Sequence, residues 1–120
     1  MTAFRTLIAL GGAAALAVSG PALAHAKLVK SNPAAEATVK SPKTITLTFN
    51  ERVVPAFSKF ELAMPAHNMN IPVKTTVSRD GKRIVGTVPS TLMKGAYTIN
   101  WTAAGADGHK MTGKVGFKVG

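Results

Sequence analysis

Three histidines carry most of the chemistry open to this sequence: His25 in "ALAHAK", His67 in "MPAHNMN" and His109 in "ADGHKM". The chain has no cysteine, so a metal could be held only by imidazole, carboxylate, amine or thioether groups. Asp107 and His109 stand two residues apart with Gly108 between them. In an extended segment, side chains two apart point the same way, and the glycine allows the tight backbone path that turns a carboxylate and an imidazole toward one ion. D-x-H is a weak motif by itself, because Asp-Gly is already a good turn signal. Its force depends on what lies beside it in space.

His25 draws its interest from the residues before it. The chain opens with one positive side chain, Arg5, an apolar run from Leu7 to Val18, the helix-loosening Ser19, Gly20 and Pro21, and small residues at Ala22 and Ala24. That is the layout of a secretory signal peptide over residues 1–24, with an A-x-A cleavage site. The apolar run is well short of the roughly 20 residues of a spanning helix, and no cysteine is present to carry a lipid. The expectation is therefore an exported chain with no stable membrane anchor. Cleavage after Ala24 leaves one domain, residues 25–120, with His25 at its amino terminus. The free amine and ring Nδ1 of that residue can close a six-membered chelate ring. Both donors must give up protons, from groups with ordinary pKa values of about 7.7–8.0 and 6.5, and among common divalent ions Cu(II) is the tightest binder of nitrogen donors. Adding Asp107 and His109 gives three nitrogens and one oxygen, a set suited to the tetragonal preference of Cu(II).

The elements that must bring these groups together are strands. In "KTITLTFN" Ile45, Leu47 and Phe49 alternate with threonines, in "GAYTINWTA" Tyr97, Ile99 and Trp101 alternate with polar residues, and in "KVGFKV" Val115, Phe117 and Val119 do the same. A period of two marks half-buried strands. Weaker strand candidates lie at "AKLVKS", "SKFELAM", "PVKTTVS" and "KRIVGTV". Asp80-Gly81 in "SRDGKR" predicts a two-residue hairpin turn with positive φ angles. About seven short strands and no amphipathic helix predict an all-β, immunoglobulin-like sandwich. Phe57, Phe60, Tyr97 and Trp101 are expected in its core, with Met93 and Met111 as packing residues.

The formal net charge is +10. Its cations are scattered along the chain, and an exported protein rarely meets nucleic acid, so no nucleic-acid partner is expected. A basic surface attracted to anionic lipid or an acidic partner is the simpler account.

The chain resembles the periplasmic copper-binding CopC proteins. The residues that carry the resemblance are "HAKLVKSNPA", "ITLTFNERV" and "GAYTINWTAAGADGHKMTGKVGFKV" with the spacing between them, and it extends over essentially all of residues 25–120. The resemblance implies a Greek-key β-sandwich in the periplasm that binds Cu(II) through the amine and ring of His25 with Asp107 and His109. It places Glu51 at the family's acidic position near the metal, as a ligand or as a partner that orients one. Some of these proteins carry a methionine-rich loop for Cu(I). Here "MPAHNMN" keeps only Met64, His67 and Met69, and two thioethers with an imidazole suit a three-coordinate Cu(I) site. The implied role is copper binding in resistance or homeostasis without catalysis, with an inner-membrane copper importer or another periplasmic copper protein as partner. Two alternatives stand beside it. One is a copper monooxygenase built on a terminal histidine, which the shortage of spare aromatics and the place of Asp107 disfavour. The other is a metal-free interaction sandwich.

Overall fold

The computed structural model describes residues 26–120, so the expected signal peptide over residues 1–24 and His25 lie outside the described residues. Two sheets make up the fold. Strands β1 (Leu28–Asn32), β3 (Thr44–Phe49), β7 (Arg83–Thr87) and β6 (Lys74–Val77) form the first, in that order; β2 (Thr38–Val39), β9 (Lys110–Val119), β8 (Gly95–Ala104), β4 (Lys59–Met64) and β5 (Met69–Ile71) form the second. No α-helix occurs among the described residues; two single 3-10 turns, Pro55–Phe57 and Pro65–His67, flank β4.

All seven expected strands are present, and two more join them. Strand β2 has two residues and β5 three, too short for a period to show. All pairings are antiparallel except β2 with β9, which is parallel. The alternation read from the sequence sets the core: Ile45, Leu47 and Phe49 from one sheet meet Phe60, Leu62, Tyr97, Ile99, Trp101 and Phe117 from the other, all buried. Each such large side chain contributes roughly 1.5–3 kcal/mol on leaving water. The rings of Phe49 and Trp101 meet edge to face at 5.2 Å, and those of Tyr97 and Phe117 stack at 5.6 Å.

Strand β9 begins four residues before the "KVGFKV" pattern, at Lys110. Its inward positions continue as Met111 and Gly113, and the glycine stands where a bulky residue would complete the pattern. A Cβ at Gly113 would come within 2.4 Å of the Trp101 ring, its cross-strand partner. The indole fills that space.

Three expectations need correction. Phe57 is 56% exposed and Met93 54% exposed, so neither packs in the core: Phe57 ends the protruding Pro55–Phe57 turn, and Met93 offers its backbone carbonyl to the Tyr97 hydroxyl at 2.7 Å. The "SRDGKR" loop is wider than a two-residue turn. Gly81 alone takes a positive φ, of 77°, while Asp80 caps the loop through its carboxylate, accepting from the Ser78 hydroxyl at 2.5 Å and the Lys82 amide at 3.0 Å. The Ser78 amide donates to the Arg83 carbonyl at 2.8 Å and closes it. Met111 is partly buried against the core, as expected.

Candidate metal centre

One end of the sandwich gathers the start of β1, the end of β3, the start of β4 and the β8–β9 loop. The register requires this: Leu28 faces Phe49, Lys59 faces Thr102, and Ala104 faces Lys110. Backbone bonds tie these pieces together. The Val54 amide donates to the Ala104 carbonyl at 2.8 Å, and Val53 bridges to Gly105. The Ser58 hydroxyl, buried, accepts from the Ala104 amide at 3.1 Å.

The β8–β9 loop is closed at both levels. The Gly105 amide donates to the His109 carbonyl at 3.1 Å and the Gly108 amide to the Gly105 carbonyl at 2.9 Å, with Gly108 at φ 87°. Asp107 Oδ1 accepts from the His109 amide at 3.0 Å, and Oδ2 lies 2.9 Å from His109 Nδ1. The segment is a turn rather than the extended path assumed from the sequence, and the convergence comes from the Asp107 side chain bridging to the residue two ahead. The 2.9 Å between Asp107 Oδ2 and His109 Nδ1 is an ordinary hydrogen-bond length, and it holds the carboxylate against the imidazole.

The chain enters beside this loop. A Cβ placed on Gly105 would lie 3.2 Å from Asp107 Oδ1 and 4.0 Å from the Ala26 backbone nitrogen. Ala26 is buried, and the residue joined to its nitrogen is His25. The sequence could not show this approach. Nor did it single out Asn50, whose side-chain oxygen accepts from the Lys27 amide at 2.6 Å while its own amide donates to the Lys27 carbonyl at 3.0 Å. Asn50 fixes the entering strand against the Glu51 turn, and its only sequence signal is its place before "ER".

Glu51 is exposed and lines a shallow groove of about 290 Å³ with Asn50, Arg52, Lys82 and Ala106. The groove reaches the β8–β9 loop through Ala106. Among the described residues no three His, Asp or Glu side chains cluster as a metal site. Met64, His67 and Met69 lie at the opposite end of β4. Met64 and Met69 are cross-strand partners with His67 in the turn between them. Met64 is buried, its Cε 2.4 Å from where a Gly95 Cβ would be; His67 and Met69 are exposed.

Fold and loop together define a small all-β module with a carboxylate–imidazole pair held at one end, beside its amino-terminal entry. The CopC domain model matches residues 28–120, and the chain belongs to the CopC family. Copper resistance protein C of Pseudomonas syringae pv. tomato is 40% identical over 98% of this chain and 95% of its own; the protein of the same name from Xanthomonas campestris pv. juglandis is 38% identical over 88% of each. The crystal structure of PcoC, a methionine-rich copper resistance protein from Escherichia coli, superposes with a TM-score of 0.73 at 33% identity, covering 81% of this chain and all of that one.

Proposed function

We propose that the chain is an exported copper carrier of the periplasm that holds Cu(II) through the amine and ring of His25, Asp107 Oδ2 and a ring nitrogen of His109. The observation that carries this reading is the convergence over Gly105, where the Ala26 nitrogen and the Asp107 carboxylate approach one point and the carboxylate already faces the His109 ring. Cleavage after Ala24 then completes a nearly preformed site. Glu51, across the groove, acts on the site from outside the donor set. Binding without catalysis fits a donor set in which Asp107 takes a position that an oxygen-activating copper would leave open. The carrier limits free copper and passes it to an inner-membrane importer or another periplasmic copper protein.

Protons compete for the amine and both imidazoles, and reduction gives Cu(I), which a nitrogen and carboxylate set without thioethers holds less well. Acid and reductant both release the ion. Copper retention unchanged between about pH 7.5 and 4.5 would count against this donor set. The direct test is a Cu(II) titration, read by electron paramagnetic resonance, of the chain starting at His25 beside a copy with one extra residue ahead of it. Tight tetragonal binding only in the first supports the proposal. Equal binding in both removes His25 as the anchor.

A second, softer site is carried by the cross-strand pairing of Met64 with Met69 around His67. It would take Cu(I), and a competition titration against a cuprous chelator tests it.

A further inference from the structure

Phe57 is the one aromatic among the exposed large hydrophobic residues described; the others are Val29, Met69 and Met93. It ends the Pro55–Phe57 turn, all three residues of which are exposed. The turn is fastened to the copper-side loop by the Val54–Ala104 hydrogen bond and the Val53–Gly105 bridge. The Lys110 ammonium lies 5.6 Å above the ring, Lys59 follows two residues on, and Lys27, Arg52 and Lys82 belong to the same end of the sandwich. A protruding aromatic beside lysines whose long stems can carry their charge back to a headgroup is the pattern of an interfacial anchor.

We propose that this end of the molecule docks on an anionic phospholipid surface, with Phe57 entering the headgroup region and the surrounding cations pairing with lipid phosphates. Charge complementarity selects this occupant. Of the cations behind the net +10 only Arg5 precedes His25, and the rest are spread widely, which suits a planar, diffuse negative surface. A specific protein interface covers about 800 Å² per partner, and the three-residue apolar tip is far smaller than that. Neither the hydrophobic tip nor the charge holds a protein to a membrane by itself; two weak signals together give reversible attachment. Asp107 and Glu51 oppose the attraction at this end, and a bound cupric ion offsets them. Loading therefore strengthens docking and turns the metal toward the membrane, a consequence that rests on the copper reading above.

The test uses the chain starting at His25, free and Cu(II)-loaded, floated with vesicles of phosphatidylethanolamine and phosphatidylglycerol or of phosphatidylcholine alone. The expected result is binding to the anionic vesicles only, weakened by salt, and stronger for the loaded form. Phe57→Ser lowers the partition coefficient roughly tenfold and Lys110→Gln roughly fivefold, while Met93→Ser, at the other end, changes nothing. Phe57→Trp gives a blue-shifted emission on binding, which reports entry of the tip itself. Phe57→Ser is titrated with Cu(II) in parallel, and unchanged copper binding shows that the fold is intact. Absence of anionic-vesicle binding overturns the proposal, as does binding that Phe57→Ser leaves intact. Retention on polyglutamate beads without vesicle binding assigns the charge to an acidic protein and overturns it too. Vesicle binding in a chain that fails to bind copper leaves the docking standing and removes the carrier function.

Discussion

The two ends of strand β4, where the proposed copper donors lie, are built differently. At the Lys59 end the side chains are held in place: Asp107 is fixed to the His109 amide and ring, the loop is closed by two backbone bonds, and the entering chain is fastened by Asn50. At the Met64 end one thioether is buried and the other two donors are exposed. The strand between them is about 20 Å long at ~3.3 Å per residue, so the two cannot share an ion. Nitrogen and carboxylate donors fixed by backbone geometry make a site with little to reorganise. Soft donors split between core and surface make one that must move to bind.

The largest expected effect separates the ends completely. His109→Ala or Asp107→Ala should weaken Cu(II) binding by about a thousandfold, more than the 10–100-fold typical of losing an outer partner of a ligand, and equivalent to about 4 kcal/mol. Thermal midpoints should change much less than copper affinity, because both residues belong to a surface loop. His67→Ala and Met69→Ala should leave Cu(II) affinity where it was. A competition titration on all four variants decides the matter, and comparable losses at both ends would dissolve the distinction.

Met64→Ala tests the other end through the fold. Its side chain is buried in the core, so truncation should cost about 3 kcal/mol of stability, measured by chemical denaturation, with Cu(II) affinity unchanged. The outcome that breaks the comparison is a stable variant that has lost Cu(I) binding, since that would make Met64 a free ligand and not a packing residue.

The contrast also marks what the sequence could and could not show. Strands with a period of two were legible because alternate residues must face water or the core; Thr44–Phe49 follows that rule throughout, and Gly95–Ala104 follows it until its last residue, Ala104, which is buried like Ala103 before it. Strands β2 and β5 were not, because two or three residues carry no period, and the start of β9 was hidden where Gly113 yields its space to Trp101. Phe57 misled because residue type predicts average burial, whereas a short 3-10 turn projecting from the sheet end decides this case. Asp107 and His109 were legible as a pair. The approach of the entering chain was not, since nothing local in "HAK" and "AGADGH" says that Ala26 packs against Gly105.

That approach can be sharpened by a smaller change. Gly105→Ala would put a methyl 3.2 Å from Asp107 Oδ1, tighter than most packed contacts, and the carboxylate must shift by a few tenths of an ångström. Cu(II) affinity should fall about fivefold, near 1 kcal/mol, with stability less affected. The equivalent test at the other end is His67→Ala, which should change neither quantity. If Gly105→Ala binds copper as the parent does, the loop tolerates adjustment and the fixed-donor account of this end is too strict.

The smallest effect concerns acid. The Asp80 carboxyl is held below its ordinary value first by the Ser78 hydroxyl and then by the Lys82 amide. A group lowered in this way contributes stability that is fully present above its unfolded value, near pH 4, and is lost as pH falls through its folded value. Because the group is fully exposed the effect is small. The gap in stability between parent and Asp80→Asn should therefore be constant near neutrality and narrow only below about pH 4, which denaturation at a series of pH values can read. Asp80 is not among the proposed donors, so copper should leave the parent and Asp80→Asn at the same pH. Release that moved with Asp80→Asn would tie the ion's departure to the turn under Val53, whose amide donates to Gly81, and would make the copper end less rigid than its hydrogen bonds indicate.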